Sequence, residues 1–166
     1  MPAEHAILAE IPRLRRYARA LTGNAAEADD LVQDTLERAL GKWTLWRPGN
    51  LRAWLLTMMH NVFVNQLRAR PVLVMADEDE LAAIPVRPRQ HDELELRDLD
   101  RALARLPPEQ REVLLLVGLE ELSYDETARV LGVPAGTVMS RLSRAREKLR
   151  AILAGDGKPQ HLKVIK

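Results

Sequence analysis

An all-α fold is what this chain predicts: two small helical domains joined by a flexible acidic linker, the second domain containing a helix-turn-helix. Three observations carry that prediction. Apolar residues recur at helical spacing along most of the 166 residues, and Leu, Ala, Arg and Glu, all good helix formers, dominate the composition. Residues 71–91 break every periodicity, with Pro71, Pro85 and Pro88 around the acidic cluster Asp77, Glu78, Asp79 and Glu80, so they form a linker rather than a layer of core. Residues 123–146, SYDETARVLGVPAGTVMSRLSRAR, have the punctuation of two short helices about a tight turn.

Each element follows from its own pattern. Ile7, Ile11, Leu14, Ala18 and Leu21 mark the apolar face of a first helix ending near Gly23, with Arg13, Arg15, Arg16 and Arg19 on its other side. A second helix starts around Ala25, turns Ala28, Val32, Leu36, Ala39 and Trp43 inward and frays near Gly41. A third runs from about Leu51 to Arg68 with Leu51, Leu55, Met58 and Val62 as its seam, and the three make a bundle over residues 1–70. Periodicity returns at Leu96, Leu99, Leu103 and Leu106, and Pro107-Pro108 opens a helix through Val113, Leu114 and Val117. Ser123 with Glu126 fits a capping box, Gly132 can take the left-handed conformation that stops a helix, and Pro134 suits the first turn of the next. Val138, Leu142, Ala145 and Leu149 then form a core stripe, which completes a domain over 92–154; the tail 155–166 has little to bury and is expected to be mobile.

Composition narrows the function classes. The chain has no cysteine, which excludes disulfides, Cys-ligated zinc and thiol nucleophiles. No apolar run approaches the roughly 20 residues of a membrane span, and the N-terminus lacks a signal-peptide pattern, so no membrane insertion and a cytoplasmic location are expected. The net charge of +1 conceals a segregation. Residues 1–70 carry ten basic and seven acidic side chains, residues 71–95 two and seven, and residues 96–166 thirteen and ten. Two mildly basic units therefore flank an acidic connector, and local fields matter more than the total. His5, His60, His91 and His161 are scattered without metal-ligand spacing, and no glycine-rich phosphate loop or Ser-His-Asp elbow occurs. They read as isolated histidines, and an enzyme, a metal or a cofactor is not expected.

Three polar stripes are candidate binding surfaces. On the second helix Asp30, Gln33, Asp34 and Glu37 fall at i, i+3, i+4 and i+7 beside Asp29; this is either an ordinary solvated face with acids near its N-terminus or a dock for a basic protein helix. Around the third helix lie Arg47, Arg52, Thr57, His60, Asn61, Asn65 and Arg68 with three nearby tryptophans. Amides and guanidinium groups read bases and hold phosphates, and exposed aromatics stack on unpaired bases, although Trp43 and Trp54 also suit simple core packing. In the last helix Thr137, Ser140, Arg141 and Arg144 form a stripe apart from the core residues, with Arg146 nearby. Hydroxyl and Arg side chains at the start of a helix suit base-edge and phosphate contacts, whereas the alternative is a packing unit with a solvated basic surface.

In order and spacing, DDLVQDT, WLLTMMHNVFVNQLR, LPPEQREVLLL and SYDETARVLGVPAGTVMSRLSRAREKLR resemble the bacterial RNA polymerase sigma factors of the small extracytoplasmic-function (ECF) type, over roughly residues 5–152. The resemblance implies a factor that binds core RNA polymerase and directs promoter-specific initiation, with an anti-sigma factor as a further partner. It implies that Asp29, Asp30, Gln33, Asp34 and Glu37 dock on polymerase, that Arg52, Asn61, Asn65 and Arg68 lie at the minus-ten element, and that Thr137, Ser140, Arg141, Arg144 and Arg146 lie at the minus-thirty-five element. The acidic connector corresponds to the linker that threads polymerase near the nascent RNA path, and the extra domains of housekeeping sigma factors are not expected. Met139 stands where the motif commonly has Lys or Arg, and Ser143 where a bulkier residue is frequent, so promoter sequence does not transfer from relatives. Two alternatives remain open: a sigma-like decoy that sequesters an anti-sigma factor, whose known forms carry a phosphoryl-receiver domain, and a stand-alone helix-turn-helix regulator.

Overall fold

The structure, a computed structural model, describes residues 2–46, 49–69 and 91–155. Among these residues the regular structure is entirely helical. Helix α1 spans Pro2–Thr22, α2 Ala25–Gly41, α3 Leu51–Ala69, α4 His91–Ala104, α5 Pro108–Gly118, α6 Tyr124–Leu131 and α7 Ala135–Leu153, with a single 3-10 turn, Trp43–Leu45, after α2. The expected linker and mobile tail lie almost wholly outside the described residues.

Local chemistry sets the breaks. Gly23 takes φ +70° at the end of α1, and Asn24, extended, accepts from the Glu27 amide to open α2. Asn50 does the same for α3, its Oδ1 accepting from the Ala53 amide at 3.1 Å. Ser123 and Glu126 complete a reciprocal capping box at α6, and Gly132 closes that helix at φ +68°. Pro134 serves as the N-cap of α7, one position before the first turn the sequence assigns it.

Helices α1, α2 and α3 pack on one another, α5 and α6 pack on α7, and the two groups meet where α6 lies on α3 and both α4 and α5 lie on α1. The buried apolar residues form one continuous cluster across both groups. The expected seams are present but too narrow. Leu56, Met59 and Phe63 are buried on α3 beside the predicted Leu55, Met58 and Val62, because α3 is covered by α2 on one side and α6 on another. Tyr17, Leu31 and Thr35 are also buried, the Thr35 hydroxyl donating to the Leu31 carbonyl at 2.7 Å. Leu99 departs in the other direction: despite its place in the leucine repeat it is 36% exposed.

Candidate nucleic-acid and protein-docking surfaces

Burial of Val138, Leu142 and Ala145 against α5 and α6 fixes the rotation of α7 about its axis. Ser140, Arg144 and Arg146 are consequently exposed, and Thr137 and Arg141 are half-buried at the flank. Ser140 Oγ donates to the Thr137 carbonyl at 3.1 Å, which leaves its lone pairs outward. This is the disposition a recognition helix needs: an apolar side held by the preceding helix, and short hydroxyl and long cationic side chains facing solvent over its first turns.

The acidic stripe of α2 is equally open. Asp29, Asp30, Gln33, Asp34 and Glu37 are all exposed, while Ala28, Leu31, Val32, Thr35 and Ala39 hold the opposite face in the core. Its groups are loosely tied, with Gln33 Nε2 3.5 Å from Glu37 Oε1 and Gln66 Nε2 donating to Asp34 Oδ2 at 3.2 Å. Leu40, 52% exposed, extends the stripe at its C-terminal end, an apolar neighbour that the charge pattern alone did not single out.

On α3 the four predicted nucleic-acid residues separate. Asn61, Asn65 and Arg68 are exposed on the C-terminal half. Arg52, in the first turn, is half-buried and pairs with Glu10 of α1, Nε to Oε1 at 3.0 Å. The three tryptophans form one cluster: Trp43 and Trp46 stack with centroids 5.0 Å apart, and Trp54 meets Trp43 edge-on at 6.0 Å. Each is half-buried, so the cluster both packs and presents ring surface.

A titratable seam joins the two groups of helices, and sequence reasoning missed most of it. His60 of α3 is not isolated as expected: its Nδ1 lies 2.6 Å from Glu112 Oε2 of α5, with the two side chains 16% and 5% exposed. Glu112 occupies the apolar stripe of α5, four residues before buried Leu116, and a charge at a core position was the legible signal. Arg111 sends Nη1 to the Leu21 carbonyl at the end of α1 (2.6 Å), Nε to Leu103 O (2.8 Å) and Nη2 to Ala104 O and Leu106 O (3.1 and 2.8 Å). One guanidinium thus satisfies carbonyls at the ends of two helices. Burial pushes the Glu120 carboxyl above its ordinary value, against the opposing pull of Arg16, whose Nη2 lies 4.0 Å away. Tyr17, buried beside it, is pushed well above the usual phenol range by burial first and then by Glu112 and Glu120. Asn50 Nδ2 reaches Glu126 Oε2 at 3.3 Å, linking the N-cap of α3 to the N-cap region of α6.

Among the described residues no group of three His, Asp or Glu side chains is placed to hold a metal ion, and no helix is long and apolar enough to cross a membrane.

Comparison with known proteins agrees with both halves of this architecture. Residues 96–149 match sigma-70 region 4, and residues 7–60 match the sigma2 domain of PhyR. The ECF RNA polymerase sigma factor EcfG of Rhodopseudomonas palustris is 45% identical over 153 residues, spanning 91% of this chain and 84% of that protein. Among solved structures, the sigma factor RpoE in complex with the anti-sigma factor NepR from Bartonella quintana superposes with a TM-score of 0.73 at 34% identity, covering 92% of this chain and 97% of that one. CnrH, in complex with the cytosolic domain of CnrY, gives 0.68 at 28% identity, covering 92% and 88%. The chain therefore belongs to the ECF family of RNA polymerase sigma factors, the proteins that bind core RNA polymerase and direct promoter-specific transcription initiation.

Proposed function

We propose that this sigma factor divides its work between its two groups of helices, placed about residues 1–70 and 92–154, with residues 71–91 as the connector. Asp29, Asp30, Gln33, Asp34 and Glu37 of α2 dock on a basic surface of core polymerase. Five exposed acidic or amide groups on one face, backed by a buried face that fixes their direction, support that assignment. Asn61, Asn65 and Arg68 contact the minus-ten element, with Arg52 joining them once released from Glu10. Ser140, Arg141 and Arg144 contact the minus-thirty-five element in the major groove, with Thr137 and Arg146 toward its backbone. The observation that carries the reading is α7: its rotation is locked by Val138, Leu142 and Ala145, and it exposes Ser140 and Arg144 where a recognition helix meets base edges. The site of action is the cytoplasm, no catalytic centre is involved, and initiation chemistry belongs to polymerase.

Geometry adds a requirement. Elements named for positions minus ten and minus thirty-five are about 25 base pairs apart, roughly 85 Å of B-form duplex at about 3.4 Å per base pair. A compact chain of this length has a radius of gyration of about 15 Å. The arrangement with α6 on α3 and α5 on α1 cannot reach both elements at once, so promoter engagement separates the two groups along the His60–Glu112 and Arg111–Leu21 seam. An anti-sigma factor that clamps or separates the two groups is the restraint we infer, and the solved complexes of RpoE with the anti-sigma factor NepR and of CnrH with the cytosolic domain of CnrY support such a partner.

A second reading has one observation in its favour. The match of residues 7–60 to the PhyR sigma2 domain fits a decoy that occupies an anti-sigma factor and engages no promoter. Transcription from a randomised promoter library with purified core enzyme decides between them. A sigma factor yields transcripts with a common upstream sequence; a decoy yields none.

A further inference from the structure

The rotation of α7 exposes a face that the basic stripe does not account for. Gly136, Met139, Ser140 and Ser143 stand at i, i+3, i+4 and i+7 on one side of the helix, away from buried Val138, Leu142 and Ala145. Three of the four are small. Gly136 is exposed, and a Cβ built there meets no atom within 4 Å, so the backbone can come close to whatever the helix faces. Met139 rises from this shallow surface. It is 51% exposed, and among the described residues of α7 the other large exposed apolar side chain, Leu153, lies in the last turn, far from the reading end.

A thioether side chain carries no charge for a phosphate and is a poor partner for the amide and carbonyl edges of bases. The major groove holds one apolar group, the C5-methyl of thymine. An unbranched, adaptable side chain projecting between small neighbours on the first two turns of the helix fits that group.

We propose that Met139 reads a thymine in the minus-thirty-five element through its C5-methyl group, beside the bases contacted by Ser140 and Arg144. The proposal rests on α7 being the groove-facing helix, as argued above. Specificity at that base pair then comes from apolar contact, with Ser143 and Gly136 leaving the room the methyl needs.

Replacement of thymine by deoxyuridine removes the methyl and nothing else. Holoenzyme is reconstituted from the full chain and core polymerase, and each thymine of the minus-thirty-five element, on either strand, is replaced singly in a promoter that the library selects. At one thymine the unmodified factor should lose about fourfold in promoter binding, about 0.8 kcal/mol, the contribution of one buried methyl or methylene. The Met139→Ala factor should bind thymine and deoxyuridine templates equally, and Met139→Leu should restore part of the discrimination. Met139→Lys should move the preference at that pair toward guanine. Because Met139 is exposed, each variant should retain the helical content and thermal midpoint of the parent. No deoxyuridine effect at any position, a penalty undiminished in Met139→Ala, or selected promoters lacking a preferred thymine would each overturn the proposal. Failure of the holoenzyme to initiate on any unmodified template overturns the sigma-factor reading on which the proposal rests, and is told apart from failure of the proposal itself because it occurs without deoxyuridine and without substitution of Met139.

Discussion

Arg111 offers the sharpest test of how the two groups of helices are held. Its guanidinium donates to four main-chain carbonyls, three at the end of α4 and the turn after it and one at the end of α1. A hydrogen bond from a charged donor contributes about 1.5–3 kcal/mol net, so four taken singly would sum to roughly 6–12 kcal/mol. Bonds from one side chain are not additive, and in Arg111→Ala the freed carbonyls recover some water in the space vacated. The expected loss is therefore about 3–4 kcal/mol, between a third and a half of that sum. In a chain of this size that lowers the thermal midpoint by roughly 6–16 °C. Arg111→Lys should recover less than half, because a single ammonium cannot span carbonyls on both α1 and α4. Urea titration followed by far-ultraviolet circular dichroism and by tryptophan fluorescence measures the loss. Trp43, Trp46 and Trp54 all belong to the first group of helices, with Trp54 beside Glu126, Arg129 and Val130 of α6, so fluorescence reports that group and its seam with α6 while dichroism reports the helices of both groups. The two transitions should coincide in the parent and separate in Arg111→Ala. A loss below about 1 kcal/mol, or full rescue by lysine, would refute the bridging role.

Other substitutions probe the remaining assignments. Asp34→Arg should abolish most core-polymerase binding while leaving the melting curve unchanged, since Asp34 is exposed; an unaltered holoenzyme yield in a pull-down removes the docking assignment. Arg144→Ala should weaken binding selectively at the minus-thirty-five element, by about 1–3 kcal/mol if the contact is bidentate to guanine, and equal losses on cognate and scrambled DNA would contradict it. Glu120 binds its proton more tightly when folded, so its contribution to stability is fully present below the ordinary carboxyl value of 4.5 and is lost as pH rises through the elevated folded value. Glu120→Gln should flatten that decline in a series of urea titrations above pH 4.5; a decline of the same slope would place its origin elsewhere. Ser123→Ala should cost about 1 kcal/mol through loss of the α6 cap. The Glu126 carboxyl is held below its usual range by the Ser123 amide and hydroxyl, so its contribution exists above that range and is lost as pH falls. The variant keeps the amide, the larger cause, and loses the hydroxyl, so its acid limb should be only slightly shallower; an unchanged limb would assign the depression to the amide alone.

Much of this architecture is legible in the sequence because each element depends on near neighbours. The capping box of Ser123 and Glu126, the left-handed Gly132 and the Val138–Leu142–Ala145 stripe are spaced three or four residues apart, and pattern alone places them. The α2 stripe is visible for the same reason, since Asp30, Gln33, Asp34 and Glu37 share a face whatever the helix packs against. What depends on a distant partner is hidden. His60 looks solitary until α5 brings Glu112, 52 positions away, to within 2.6 Å. Arg111 looks like one more surface cation until α1 and α4 both end beside it. Arg52 reads as a free nucleic-acid contact, and Glu10, 42 positions earlier, claims it in this arrangement. Leu99 fits its leucine repeat yet is only partly covered, because a heptad-like spacing states which residues share a face and not how far that face is covered.

Every surface assigned to this chain depends on its association with core polymerase. The purified chain and bacterial core enzyme, mixed at low ionic strength and separated by size-exclusion chromatography, should elute together in equal stoichiometry, with the complex lost in Asp34→Arg. Separate elution of the unmodified chain would contradict the account, whatever its affinity for DNA.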